Sequence, residues 1–141
     1  MKTLKSMLAS IALITVCFVA NATVKPVADK PTKTDVVNMY IDAISHGKIN
    51  NLNAILDESL QFNIQRGVNV NTLDKDQLLE YLKDNTNGDV PVSTNTTIVH
   101  EDDNSYIVKV DFKYSSFTRS DLVTVEYSSG WLITKVQSSY K

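Results

Sequence analysis

Ser105–Tyr140 reads SYIVKVDFKYSSFTRSDLVTVEYSSGWLITKVQSSY. Tyr106, Val108, Val110, Phe112 and Tyr114 fall on every second position, with Lys109, Asp111 and Lys113 between them. That period belongs to a strand with one face buried. Ser115-Ser116 turns the chain into Phe117–Tyr127, where Val123, Val125 and Tyr127 share a face. Ser128-Ser129-Gly130 supplies the next turn, and Trp131–Ser138 reads as the last strand. Upstream, the Thr/Val-rich Ser93–His100 is joined to this stretch by the polar turn Glu101–Asn104. Four strands joined by short turns predict an antiparallel meander.

The preceding half has the helical period instead. Thr32-Lys33-Thr34-Asp35 has the form of a capping box, and Val37, Tyr40, Ile41 and Ile44 follow on one helical face up to a stop at Gly47. Ile49, Leu52, Ile55 and Leu56 mark a second, short helix. Leu60, Phe62 and Ile64 alternate in a strand over Leu60–Arg66, Gly67 turns it, and Val68–Thr72 returns. Asp74 with Gln77 is a second capping box, flanked by a Leu73/Leu78 staple; Leu78, Leu79 and Leu82 form the buried face of that helix, and Asn87-Gly88 closes the region. The predicted order is α-α-β-β-α-β-β-β-β, an α+β fold.

The chain has 141 residues, 43% hydrophobic and 21% charged, which suits one globular domain. Residues 1–22 have the three parts of an export signal: Lys2 and Lys5, an apolar run from Met7 to Ala20, and Ala20-Asn21-Ala22 for cleavage. The run is shorter than a membrane-spanning helix needs. Val16 precedes Cys17 where a lipidation site takes a small residue, so Cys17 is read as lost with the signal. The expected product is periplasmic or secreted, with no stable membrane anchor. Residues 23–33 would be a flexible leader and residues 34–141 the domain. The remaining chain has no cysteine, so disulfide and thiolate chemistry are absent from it. Loss of Lys2 and Lys5 takes the formal net charge from −2 to −4, which offers nothing to nucleic acid.

The element order, together with MYIDAISHGKINNLNAILDESLQFNI (residues 39–64) and GWLITKV (residues 130–136), resembles the nuclear transport factor 2-like superfamily. Within it, the chain is similar to the exported bacterial branch labelled SnoaL-like or lumazine-binding. The resemblance implies a cone: a curved antiparallel sheet wrapped around the N-terminal helices, with a pocket at its open end. It also implies frequent sheet-to-sheet pairing. A homodimer is therefore expected through an outer sheet face carrying Lys109, Asp111, Lys113, Thr124 and Glu126.

Isomerase-like members of the superfamily pair a first-helix tyrosine with a carboxylate base and a second, protonated carboxyl group. Tyr40 matches the tyrosine. The base position falls at Ile64 and the second acid near Val123, both aliphatic. Catalysis would then need an atypical partner for Tyr40 among Asn63, Asp111 and Asp121. Asp111 alternates outward, so the test is whether Asn63 or Asp121 converges on Tyr40 in an open cavity. His46 belongs to a helix end and His100 to a strand end beside Glu101-Asp102-Asp103, and neither suggests a metal site. No Gly-x-Ser-x-Gly elbow or phosphate-cradling loop occurs. Arg66 and Arg119 are the only arginines; each could hold a carboxylate at a pocket mouth, though a surface ion pair is the expected role.

The reading is therefore a non-catalytic binding domain without cofactor or metal. Its candidate ligand pocket is Tyr40, Phe62, Ile64, Phe112, Tyr114, Val123, Tyr127 and Trp131, suited to a small apolar or aromatic molecule. These side chains could equally fill the core. The alternative is a small-molecule isomerase, dehydratase or cyclase using Tyr40.

Overall fold

The computed structural model describes residues 29–141. The signal at residues 1–22 and most of the leader lie outside the described residues. The chain runs α1 (Lys33–His46), α2 (Leu52–Ile55), β1 (Leu56–Arg66), β2 (Asn69–Leu73), α3 (Lys75–Asp84), β3 (Ser93–Glu101), β4 (Ser105–Lys113), β5 (Thr118–Tyr127) and β6 (Trp131–Tyr140). This is the predicted order, and the fold is α+β with one curved, unclosed sheet.

The six strands lie in the order β2-β1-β6-β5-β4-β3. β3 to β6 form the expected meander, but β1 pairs parallel with β6, which short-turn reasoning does not reach. After β2 the chain crosses through α3 and resumes at the far edge of the sheet. Four strands later it returns beside its own first strand.

Both capping boxes form. The Thr32 side chain accepts from the Asp35 N–H while Asp35 accepts from the Thr32 N–H, and Asp74 and Gln77 do the same at α3. Gly47 ends α1 at φ 65°, where a side chain would be strained, and its N–H reaches Ala43 O at 3.1 Å. The buried face of α1 runs through Val36, Val37, Tyr40 and Ala43, with Ile41 and Ile44 partly buried on its flank rather than at its centre. β1 starts at Leu56, which belongs to the strand and not to the second helix. Asp57-Glu58-Ser59 interrupts its alternation, and the pairing with β6 slips between Leu56 and Gln61.

Tyr40 and Val36 of α1, Phe62 of β1, Val108, Val110 and Phe112 of β4, Val123 and Val125 of β5 and Val136 of β6 are all fully or almost fully buried. Burying such a side chain contributes about 1.5–3 kcal/mol relative to leaving it in water. The core is thus the layer between the helices and one sheet face. On the opposite face Lys109 pairs with Asp111 at 3.3 Å, and Ser120 donates to Asp111. Asp111 faces outward as its alternation predicts.

Candidate functional site

β5 keeps its two-residue period beyond the valines. Counting back from Val125 and Val123 places Asp121 and then Arg119 on the same, helix-covered face. α1 lies against β4, β5 and β6 and brings Tyr40 onto them. The Tyr40 hydroxyl donates to Asp121 Oδ2 at 2.6 Å. Arg119 donates through Nε to Asp121 Oδ1 at 2.9 Å and through a terminal nitrogen to Oδ2 at 2.8 Å, a bidentate grip. The same nitrogen lies 3.4 Å from the Tyr40 hydroxyl.

The environment fixes the charges. Tyr40 and Asp121 are fully buried, and Arg119 is 7% exposed. The guanidinium sits 5.8 Å from the ring of Phe62 and 5.7 Å from that of Phe112. Burial, and then the negative charge of Asp121, push the Tyr40 hydroxyl well above its ordinary range, so it stays neutral. Burial opposes the Arg119 charge, but Asp121 more than offsets that and holds the guanidinium protonated. The Asp121 carboxylate accepts from three donors and is neutralised in place.

A second arginine lies at the same end of the sheet in different surroundings. Arg66, the last residue of β1, is exposed, and its guanidinium stands 5.5 Å from the ring of Tyr140. Tyr140 is tilted against Phe117 at 6.0 Å, and Phe117 stacks on Tyr114 at 4.5 Å. No carboxylate lies within ion-pair distance of Arg66 among the described residues. Beside it is an unfilled cavity of about 410 Å³ bordered by Ile64, Leu73 and Tyr81, with Asn69 and Asn71 on its polar side.

Solved structures share this arrangement of helices and sheet. An NTF2-like protein of unknown function from Silicibacter pomeroyi DSS-3 matches with a TM-score of 0.61 at 16% identity, covering 77% of this chain and 92% of its own. A DUF4783-family protein from Bacteroides uniformis matches with a TM-score of 0.59 at 15% identity, covering 74% and 95%. The chain has the NTF2-like fold. A candidate ketosteroid isomerase from Kribbella flavida is more distant, with a TM-score of 0.51 at 16% identity over 80% of each chain. No protein-family model and no curated protein matches the sequence.

Within this NTF2-like fold the eight candidate pocket residues separate into three groups. Tyr40, Phe62, Phe112 and Val123 are fully or almost fully buried and pack as core. Ile64 borders the Arg66 cavity, and Tyr114 stands half-buried at the same end. Tyr127 and Trp131 pair at 5.3 Å at the opposite end of the sheet, where Lys33 lies 5.5 Å from the Trp131 ring. The fold does not bring those two to the others, because they flank the β5–β6 turn while the cavity lies at the far end of β6.

Arg119 corrects its expected role: it makes an ion pair, but a buried one. Asp121, one of the sequence candidates to partner Tyr40, does meet the tyrosine, but in packed core and not in an open cavity. Asn63 accepts from the Thr72 hydroxyl at 2.7 Å and is engaged elsewhere. His46 pairs with Asp42, and His100 with Asp102 at 2.8 Å on the β3–β4 turn. Among the described residues no group of three metal-ligating side chains occurs. Sequence reasoning did not pair Arg119 with Asp121. Their i, i+2 spacing on the strand that holds Val123 and Val125 was the available signal.

Proposed function

We propose that the protein is an exported, non-catalytic binding domain that takes a small carboxylate-bearing molecule with an apolar or aromatic body at the Arg66 cavity. The observation that carries the reading is the contrast in charge compensation. Among the described residues Arg66 has no acidic partner, and it adjoins a cavity with both apolar and amide-bearing walls, whereas the hydrogen bonds of the polar trio inside are all made within the protein. A guanidinium offers a planar fork suited to a carboxylate. The cavity volume of about 410 Å³ falls within the range of small-molecule sites. Export rests on the pattern of residues 1–22, and mass analysis of the protein recovered outside the cytoplasm should give a chain starting at Thr23.

The test is calorimetric titration with naphthalene-2-carboxylate and its uncharged analogue, naphthalen-2-ylmethanol. The acid should bind, and the alcohol should bind about tenfold or more weakly, as should the acid to Arg66→Met. Equal binding of acid and alcohol, or no effect of Arg66→Met, would remove the arginine from the site.

The 2.6 Å bond between Tyr40 and Asp121 favours a second reading, acid–base catalysis. Against it stand the full burial of both groups and the hold of Arg119 on the carboxylate. Turnover of a bound molecule by the parent protein, abolished in Tyr40→Phe under conditions where that variant is still fully folded, would establish the second reading over the first.

A further inference from the structure

β3 is unlike the strand it pairs with. β4 buries Tyr106, Val108, Val110 and Phe112, whereas all nine residues of β3 are exposed. β3 is an edge of the sheet, and α1 packs over β4, β5 and β6. In an antiparallel pair every second residue turns its N–H and C=O away from the partner, so β3 presents a row of open backbone groups.

Proteins commonly guard such edges with charge, proline or a bulge. Here Pro91 precedes the strand, and the bulge falls between Ile98 and His100. Between these guards there is none. From Val90 to Val99 the sequence is Val-Pro-Val-Ser-Thr-Asn-Thr-Thr-Ile-Val, ten residues without a charge. Val92, Ile98 and Val99 are 74%, 56% and 58% exposed along it.

We propose that β3 is a dimerisation edge, pairing antiparallel with β3 of a second copy so that the two sheets become one. Symmetry and charge select that occupant. The other edge strand is β2, and β2-to-β3 pairing would propagate without closing. Two copies of Ser93–Ile98, the part of β3 ahead of the bulge, pair under a two-fold axis, close as a dimer and set a neutral run against a neutral run. Asp89 and Glu101 lie outside the run, so no carboxylates are forced together within it.

The experiment is analytical ultracentrifugation of the purified protein, of Thr96→Lys/Ile98→Lys on the edge, and of Leu122→Lys, at a position that alternates with the inward Asp121 and Val123 and so lies on the outer sheet face. The expected result is a dimer whose dissociation constant rises about tenfold or more in the β3 variant and stays unchanged in Leu122→Lys. Amide exchange of the unsubstituted protein gives a readout independent of any variant's folding: protection of residues 93–99 should rise with protein concentration. A monomer at high micromolar concentration, concentration-independent exchange in β3, or a dimer broken by Leu122→Lys and not by the β3 lysines would each overturn the proposal.

Discussion

Arg119 and Arg66 lie at the same end of the sheet, each beside aromatic rings, and differ in one respect that decides what each can do. Arg119 has an aspartate two residues on along its own strand, and the strand's period turns both inward, where Tyr40 completes the set. Arg66 has no acid in that place and ends a strand at the water boundary. The first arginine is consumed by the fold and the second is available. An arginine near a pocket mouth is therefore informative only after its carboxylates have been located.

The largest effect should come from removing the acid of the inner site. Asp121→Ala strands a buried guanidinium and should lower stability by about 3–5 kcal/mol in urea unfolding. Replacing both charges, Arg119→Met with Asp121→Leu, should recover most of that loss, because the pair must repay its own desolvation. If the double variant is as unstable as the single one, charge compensation is not what the pair supplies.

Tyr40→Phe should cost about 1.5–3 kcal/mol, the range for a hydrogen bond to a charged group. It carries a pH signature as well. The folded state holds the Tyr40 proton more tightly than the unfolded chain, so this contribution is fully present below about pH 10 and is lost as pH rises beyond it. The alkaline decline in stability should be shallower in Tyr40→Phe, as seen in melting temperatures between pH 9 and 11.

The smallest effect on stability belongs to the outer arginine. Arg66→Ala should leave unfolding within about 0.5 kcal/mol of the parent, as exposed substitutions usually do. A larger loss would mean that the guanidinium over Tyr140 is structural, and the contrast with Arg119 would disappear.

Much of this architecture is legible along the chain, and what is not has a physical reason. Thr32, Asp74 and Gly47 act locally, through hydrogen bonds within a few residues, so their roles can be read directly. The parallel pairing of β1 with β6 joins segments separated by most of the domain and leaves no local trace. β3 has the same Thr/Val character as a buried strand; only its place at the sheet edge exposes it. Tyr40 stands out as a polar aromatic on an apolar helix face. Arg119 and Asp121 are hidden by composition, since their polar stretch suggests surface while their period, set by Val123 and Val125, points inward.

One measurement puts both halves of the comparison in the same tube. In a ¹⁵N-resolved NMR titration with naphthalene-2-carboxylate, shift changes should gather at Ile64, Arg66, Leu73 and Tyr81. Tyr40, Asp121 and Val123 should stay where they are. Changes centred on Tyr40 and Asp121, with the Arg66 cavity silent, would contradict that assignment and make the buried trio the binding site.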